Sequence, residues 1–273
     1  MKNRSLLMAV SSLVLASVLA ACSGAKAPGT TPAAGDQAKP VSKLVVAIDA
    51  TYPPMEFIDE KDGKTPIGFD VDLAKALGKE MGVPVEFKVV DWNSIIPGLQ
   101  AKQYDAIISS MNITADRAKE VNFIEYVKMS QVFVSPKGGT VIAKDTELSG
   151  KTVAVQDGTT SHDYMKDLMA KKVKDVKKLV TFPGATDSFM ALKAKQADVI
   201  VVDEPVGLYY ASKDAASFVI TGRAIDPEPV GIALRKDDAA LKAALEKALA
   251  TVKSNGTFKQ INTTWFGSVE LGK

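Results

Sequence analysis

Apolar and polar positions alternate along the chain in blocks that predict strands and helices in turn. The apolar run Leu44–Ile48 is typical of a buried strand, and the apolar spacing in GFDVDLAKALGKEMG predicts a helix that Asp70 caps and Gly82 ends. A short strand over residues 85–90 and a helix from about Asn93 follow. Strands that alternate with helices predict an α/β fold with a mostly parallel sheet.

A second region repeats this plan. The segment GKTVAVQDGTTSHDYMKDLMAKK reads as strand, turn and helix, and DSFMALKAKQADVIVVDEP reads as helix and strand with an acidic end. The most similar pair of internal segments is AKQYDAIISS, residues 101–110, and AKQADVIVVD, residues 194–203. In this register Ser110 and Asp203 fall at equivalent strand ends. The extended segments VNFIEYVKMSQVFVSPKG and DPEPVGIALRKD lead into and out of the second region, which is typical of a hinge.

Polar side chains collect where the predicted strands end. In open α/β sheets, ligands bind outside the carboxyl ends of the strands, because loops and helix N-termini with free donors converge there. If two lobes face each other, these side chains line one cleft. They are Asp49 with Tyr52, then Ser109, Ser110 and Asn112, then Gln156 through Thr160, and finally Asp203.

The first residues have the layout of a secretory signal. Lys2 and Arg4 precede an apolar run and then small residues before Cys22. The segment LAAC looks like a bacterial lipobox, which predicts a lipoprotein signal peptide over residues 1–21 and acylation of Cys22. A signal anchor with an incidental cysteine is the alternative. The composition of residues 22–42 predicts a flexible tether, so we expect a lipoprotein anchored to the membrane that faces the periplasm or the cell exterior.

Composition and charge narrow the possible functions. The 273 residues, 46% of them hydrophobic, are enough for two small lobes with a core each. A net charge of +2 without a basic tract does not predict a nucleic-acid partner. His162 has no cysteine or histidine companions, and no Gly-rich phosphate loop or Ser-His-Asp order is evident, so we expect no metal and no cofactor.

Several segments resemble, in order, the family-three extracellular solute-binding proteins of polar amino-acid ABC transporters. They are GFDVDLAKAL, SIIPGLQAKQYDAIISSMNITADRAKEVNF, VAVQDGTTSHDYM, ADVIVVDEPV and NGTFKQINTTWFG. The resemblance implies a two-lobed periplasmic-binding-protein (type II) clamshell, each lobe a central mixed sheet flanked by helices, joined by a two-segment hinge. On that pattern the boundaries are residues 43–126 plus 230–273 for lobe 1, 131–225 for lobe 2, and about 126–131 and 225–230 for the hinge. It also implies a monomer that closes on an L-amino acid and docks on an ABC transporter permease.

The resemblance assigns the two charged ends of an amino acid to opposite lobes. It implies that Arg117 binds the ligand carboxylate, with Ser110 and Asn112 around it, and that Asp203 accepts from the ammonium. Thr160 would bring a backbone N–H at a helix start. Spacing alone leaves other interpretations open: Arg117 could form a surface salt bridge, and Asp203 could cap the next helix. Asn112 departs from the Ser or Thr of many relatives, which weakens inference about the ligand.

The remaining candidates concern the ligand side chain. Tyr52 and Trp92 match aromatic positions of the family pocket, and Asp49 matches a position where relatives that bind basic amino acids or glutamine often place an acid. Gln156 lies where selectivity varies, with Thr159 nearby. An acid between aromatic faces favours a basic amino acid such as arginine, lysine or histidine. Glutamine or another polar amino acid is the alternative.

Two other classes of function stay open. Cyclohexadienyl dehydratases resemble these binding proteins, and such an enzyme would need an acid, for which Asp49 and Glu204 are the candidates. A sensory module would need a separate signalling protein. Because Arg117 and Asp203 fit amino-acid binding better than catalysis, we expect no enzyme.

Overall fold

The computed structural model describes residues 42–171, 173, 175–269 and 271. The strands are β1 Leu44–Ile48, β2 Thr51–Tyr52, β3 Glu56–Ile58, β4 Pro66–Ile67, β5 Val85–Val89, β6 Ala106–Ile107, β7 Asn122–Pro136, β8 Thr152–Gln156, β9 Lys178–Phe182, β10 Val199–Asp203 and β11 Phe218–Leu234. The helices are α1 Phe69–Met81, α2 Trp92–Gln100, α3 Ala115–Glu120, α4 Thr160–Lys171, α5 Ala185–Lys193, α6 Glu204–Lys213, α7 Ala239–Ser254 and α8 Thr257–Phe266, with a 3₁₀ helix at Asp145–Leu148. The predicted signal, Cys22 and most of the tether lie outside the described residues.

The main sheet has eight strands in the order β5-β1-β6-β11-β7-β10-β8-β9. Its two outer parts are parallel: β1 pairs with β5 and β6, and β8 pairs with β10 and β9. In the middle, β11 and β7 run antiparallel to each other and to their outer neighbours. The sheet is therefore mixed, and the fold is the expected two-lobed α/β clamshell. We call the part built around β5, β1 and β6 the first lobe and the part built around β10, β8 and β9 the second lobe.

The long strands β7 and β11 are shared by both lobes. They pair from Phe218 opposite Pro136 to Leu234 opposite Asn122, with register shifts at several points between Ile220 and Gly231. Bulges of this kind bend a strand and locally disrupt its ladder. The two extended connections expected from the sequence thus form a continuous but irregular ribbon between the lobes.

Each outer part of the sheet has apolar side chains packed against it. In the first lobe, Leu73 and Leu77 of α1 belong to the same buried cluster as Val46 of β1. In the second lobe, Val155 of β8 packs in a cluster with Met165 of α4. Burying one such side chain contributes about 1.5–3 kcal/mol, so these clusters fix the strand ends at which the polar side chains stand.

The ends of α1 differ in part from the sequence prediction. Gly82 ends the helix with a left-handed φ of 71°, as predicted. The prediction that Asp70 caps it was wrong, because Gly68 occupies the N-cap position and Asp70 is the second helical residue. The Asp70 side chain is fully buried and accepts hydrogen bonds from the Ser110 backbone N–H and the Tyr126 hydroxyl instead. These buried donors lie in other elements, which the local sequence cannot show.

Candidate functional site

A cavity between the two lobes lies at the carboxyl ends of their strands, where α/β sheets commonly bind ligands. Its walls border about 320 Å³ of space outside the atoms, part of which is open to solvent. Both lobes contribute to its wall. The residues that line it are Asp49, Tyr52, Glu56, Trp92, Ser109, Ser110, Asn112, Gln156, Thr159, Thr160, Ser161 and Asp203.

The structure brings together nearly all of the residues that the sequence singled out. Of the eleven candidates, all except Arg117 line the cavity. Glu56 and Ser161 also line it but were not predicted. Ser161 follows Thr160 directly in α4, so its position was within reach of the same reasoning. Glu56 sits in the short strand β3, and its only sequence signal is an acid between the apolar residues Met55 and Phe57.

The first lobe forms the floor of the cavity through two serines. The Ser109 hydroxyl accepts from the Asp49 backbone N–H at 2.8 Å and donates to Glu56 Oε1 at 2.9 Å. Ser110 has a φ of 49°, which is uncommon for a residue other than glycine, and its backbone N–H donates to Asp70 Oδ2 at 2.7 Å. The strained turn is thus held by buried carboxyl groups beneath it.

An amide and a hydroxyl meet across the cavity. Thr160, the first residue of α4, donates to Asn112 Oδ1 at 3.0 Å and accepts from Gln131 Nε2 at 2.7 Å. Ser161 donates to Gln131 Oε1, which fixes the orientation of that amide. Within the described residues the buried Nδ2 of Asn112 has no hydrogen-bond partner. Asn112 therefore offers an unused donor in the cavity wall.

Asp203 presents an unused acceptor. It is the last residue of β10 and stands at the N-cap position of α6, but its side chain makes no capping hydrogen bond. The alternative interpretation of Asp203 as a helix cap therefore does not account for its side chain. Tyr52 donates its hydroxyl to Asp203 Oδ2 at 2.8 Å, whereas the buried Oδ1 has no partner in the part of the chain that the structure describes.

Asp49 and Gln156 contact each other across the cleft. Gln156 Nε2 donates to Asp49 Oδ2 and to the Pro183 carbonyl, and the Thr51 hydroxyl donates to Asp49 Oδ1. The amide N–H groups of Gln156 are therefore directed to oxygens of both lobes. Thr159, beside it, donates its hydroxyl to the Gln156 carbonyl. This corner of the cavity carries one carboxyl group and one amide.

Arg117 stands beside the cavity and not in its wall. Its backbone N–H donates to the side chain of Thr114, the N-cap of α3, while its guanidinium donates to the carbonyls of Asn112 at 3.0 Å and Gly158 at 3.2 Å. The guanidinium also lies 5.1 Å from the centre of the Trp92 ring. Arg117 is half-buried, and no ion pair with a carboxylate is formed within the described residues, so the surface salt bridge is not what the structure shows. The sequence could not predict this position because Gly158 belongs to the other lobe.

The mouth of the cleft is closed by further contacts between the lobes. Trp92 Nε1 donates to the Gly158 carbonyl at 3.0 Å, and Asn93 Nδ2 donates to Asp157 at 2.7 Å. His162 accepts from the Gly158 backbone N–H and lies 3.1 Å from the Asp157 carboxylate. Trp92 was expected to supply a flat wall for the ligand, and its indole N–H additionally ties the two lobes together.

Burial dominates the electrostatics of the site. It raises the pKa of Asp49 to about 6 and that of Asp203 to about 7, because a buried carboxylate loses its hydration. The same cause raises the pKa of Glu56 well above its usual range and lowers the pKa of Arg117. The cavity wall therefore holds three acids, and the nearby cation lies outside it. Such a wall gains most from a ligand that brings positive charge.

Glu204, a candidate acid of the dehydratase alternative, stands apart from this cavity. Glu204 does not line this cavity; it accepts from the Ser130 hydroxyl and borders a separate groove that Tyr209 and Trp265 also line. The candidate acid Glu204 is therefore next to Asp203 in sequence but not part of the cavity wall. Among the described residues, no three His, Cys, Asp or Glu side chains form a group suited to a metal ion. In the same part of the chain, no helix is both long and apolar enough to cross a bilayer.

Known proteins resemble the chain over most of its length. The model of the bacterial extracellular solute-binding proteins, family 3, matches residues 44–268. ABC transporter arginine-binding protein 1 of Escherichia coli (strain K12) is 34% identical over 234 residues, which cover 84% of this chain and 93% of the relative. A solved ancestral arginine-binding protein bound to arginine has a TM-score of 0.78 at 39% identity and covers 83% of this chain and 99% of its own. An ancestral arginine-binding protein bound to glutamine has a TM-score of 0.77 at 40% identity with the same coverage.

Proposed function

Because the chain belongs to the bacterial extracellular solute-binding proteins of family 3, we propose that it captures an L-amino acid between its lobes and delivers it to an ABC importer. One observation carries the proposal. A buried carboxylate oxygen of Asp203 and a buried amide nitrogen of Asn112 both line the cavity, and neither has a partner among the described residues. One is an acceptor and the other is a donor.

An α-amino acid matches these two atoms. A buried polar atom without a partner costs about 1–3 kcal/mol, so a ligand that satisfies both recovers that free energy. The α-ammonium group would donate to Asp203 Oδ1 in the second lobe, and the carboxylate would accept from Asn112 Nδ2 in the first lobe. Because the two contacts come from opposite lobes, the ligand would stabilise the closed form more than any open one.

Arg117 would supply the positive charge for the ligand carboxylate. Its guanidinium reaches the carbonyl of Asn112, so it lies next to the proposed carboxylate site. A bidentate contact, as the family resemblance implies, would require the side chain to exchange its carbonyl partners for the ligand. Two bonds from the guanidinium to neutral carbonyls are weaker than a bidentate ion pair with a carboxylate, which favours the exchange.

Asp49 and Gln156 would choose the ligand side chain, and we favour a basic amino acid. A cationic side chain could replace the Gln156 amide as the donor to Asp49 and offset the negative charge of the wall. The three similar proteins reported above are all described as arginine-binding, and one of them is bound to arginine. Glutamine is the alternative, because its amide can also donate to Asp49 and a similar structure is bound to glutamine.

Calorimetry with a panel of L-amino acids tests the proposal. The purified protein is unfolded, dialysed and refolded to remove any co-purified ligand, and then titrated at neutral pH. We expect a Kd near the micromolar range, which corresponds to about 8 kcal/mol, for at least one basic amino acid. If no L-amino acid binds at any accessible concentration, the proposal is wrong. If glutamine binds and basic amino acids do not, only the ligand preference is wrong.

The dehydratase alternative has its own test. Of its two candidate acids only Asp49 lines the cavity, and Gln156 and Thr51 already hydrogen-bond to it. We propose that the protein performs no such reaction. Incubation with prephenate or arogenate should give no turnover above background, and turnover that disappears in Asp49→Asn would overturn this part of the proposal.

We base the lobe boundaries and the membrane anchor on the sequence alone, and both are proposals. We propose that residues 43–126 and 230–273 form one lobe, that residues 131–225 form the other, and that Cys22 carries the lipid that holds a monomer at the cell envelope. In bacteria that express the full chain, Cys22→Ala should move the protein from the membrane fraction to the soluble fraction. Mass spectrometry of the membrane form should find the acyl chains on Cys22, and an unmodified Cys22 would contradict the proposal.

A further inference from the structure

Two carboxyl groups lie buried against each other at the floor of the cavity, where Glu56 lines the cavity and Asp70 does not. Glu56 on β3 is 1% exposed and Asp70 on α1 is fully buried. Both carboxyl groups approach the hydroxyl of Ser110, at 3.3 Å from Glu56 Oε2 and 3.2 Å from Asp70 Oδ2. Since the Ser110 hydroxyl has one hydrogen, it can donate to only one of the two oxygens. The other contact is favourable only if that carboxyl group carries a proton.

The donors around the pair show which carboxyl group keeps the negative charge. Asp70 receives hydrogen bonds from the Ser110 backbone N–H and from the Tyr126 hydroxyl, at 2.7 and 2.8 Å. Glu56 receives one from the Ser109 hydroxyl at 2.9 Å. Because several donors stabilise a carboxylate, Asp70 is the charged partner and Glu56 is the protonated one. Glu56 then donates to Ser110, which donates to Asp70.

The surroundings of the pair provide no compensating cation. Asp49 at the end of β1, Tyr52 on β2 and Tyr126 on β7 face Glu56 or Asp70 and are themselves acidic or neutral. Within the described residues no Lys, Arg or His side chain forms an ion pair with either carboxyl group. Two buried carboxylates in contact without a cation are strongly unfavourable. Burial and the neighbouring Asp70 also raise the pKa of Glu56 well above its usual range.

We propose that Glu56 and Asp70 share a single proton and act as positioning residues, which hold the Ser109–Ser110 turn in the geometry that binds the ligand. The inference deepens the proposed function and rests on it. The shared proton lets both carboxyl groups hold the turn from below, so that Ser110 keeps its positive φ and Asn112, two residues later, faces the cavity. Loss of the proton would place two negative charges under the turn and release it.

Two isosteric variants separate the two partners. The Glu56→Gln variant mimics a protonated acid, because the glutamine amide can donate to the Ser110 hydroxyl as the carboxyl proton does. In Asp70→Asn, either the amide NH₂ group or the neutral amide oxygen of the asparagine faces the Ser110 backbone N–H. The charged acceptor of that N–H is lost in both cases. Amino-acid affinity by calorimetry should fall about 3-fold or less in Glu56→Gln and about 30-fold or more in Asp70→Asn, since a hydrogen bond to a charged group contributes about 1.5–3 kcal/mol. Glu86→Gln, on the exposed strand β5, is the control for loss of one negative charge.

Infrared spectroscopy reads the proton without any ligand. At neutral pH the carbonyl band of protonated carboxylic acids should be stronger in the wild type than in Glu56→Gln, because the wild type carries one more protonated acid. Asp203, whose pKa burial raises to about 7, contributes to the band in both proteins and cancels in the difference. The band should be as strong in Glu86→Gln as in the wild type. A wild-type band no stronger than that of Glu56→Gln overturns the inference even if the protein binds amino acids.

Affinity and folding controls complete the test. If the wild type binds but both variants lose affinity equally, the division between a protonated and a charged partner is wrong. A Glu56→Gln variant that does not fold, judged by circular dichroism, also overturns it, because a protonated acid and a Gln should pack alike. If the wild type binds no amino acid while the infrared band behaves as expected, the shared proton stands, and the proposed function and the positioning role fail.

Discussion

The two lobes contribute to the cavity in different ways. In the first lobe, Ser109 and Ser110 are bonded to Glu56 and Asp70 of the same lobe, so the floor is held by contacts that do not need the cleft to be closed. In the second lobe, the polar side chains of Gln156, Thr160 and Asp203 reach across to the first lobe. The comparison suggests a preorganised floor and a wall whose hydrogen bonds depend on closure.

The largest effect should come from the wall. Asp203→Asn removes the charge that we assign to the ligand ammonium while keeping the side-chain shape. We expect affinity to fall about 100-fold for every amino acid, since a buried charge-assisted hydrogen bond contributes about 1.5–3 kcal/mol and a charge pair adds to it. Calorimetry checks this, with Tyr52→Phe as the matched control that removes only the hydroxyl bonded to Asp203. Equal losses in the two variants would place the effect in the Tyr52–Asp203 bond and not in ligand binding.

Arg117→Ala should have the next largest effect on affinity, and it tests the contribution of the first lobe. It removes the cation beside the proposed carboxylate site and should weaken binding of all amino acids alike, by about 30-fold or more. Arg117→Lys keeps the charge but not the planar fork and should recover only part of the loss. Full recovery by lysine would show that the charge alone matters. No loss in Arg117→Ala would remove Arg117 from the proposed site.

Gln156→Leu should change selectivity more than overall affinity. It removes the amide that donates to Asp49, so Asp49 needs a donor from the ligand. We expect basic amino acids to gain relative to glutamine, by about 3- to 10-fold, because a cationic donor compensates a buried carboxylate better than a neutral amide does. Competition calorimetry with arginine and glutamine measures the ratio. A uniform loss like that of Arg117→Ala would show that the division of roles between the two residues is wrong.

The pH dependence should be smaller and should differ in sign between stability and binding. Burial raises the pKa of Asp203 from its usual 3.8 to about 7 in the folded protein, so the folded state binds more protons than the unfolded state between these values. Stability without ligand should therefore fall as the pH rises from about 4 to about 7. Affinity should rise over pH 5 to 8, because the ammonium needs an ionised Asp203. Melting temperatures and calorimetry check both signs. Asp203→Asn should flatten the affinity curve and make the stability curve shallower, while Asp49, whose pKa burial raises to about 6, still lowers stability as the pH rises.

The sequence predicted the parts of the site that depend on position along the chain. Ser110 and Asp203 could be placed because a polar residue at the end of a buried strand has only one edge of the sheet to occupy. Glu56 and Asp70 could not, because a carboxyl group is buried only when donors from distant elements surround it. Asp70 even resembled a helix cap. The structure places Arg117 beside the cavity, and the local sequence could not show its contact with Gly158 of the other lobe.

The shared pair of strands β7 and β11 also bears on the order in which the protein folds. Strand β6 ends at Ile107 and pairs with Ala233 of β11, so the sheet of the first lobe stays incomplete until nearly the whole chain is available. Strands β8, β9 and β10 all lie between Thr152 and Asp203, and β8 pairs with both of the others. Contacts close in sequence form faster, so the second lobe should acquire structure first. Pulsed hydrogen exchange would show amides of β8 protected before those of β6, and the reverse order would contradict this.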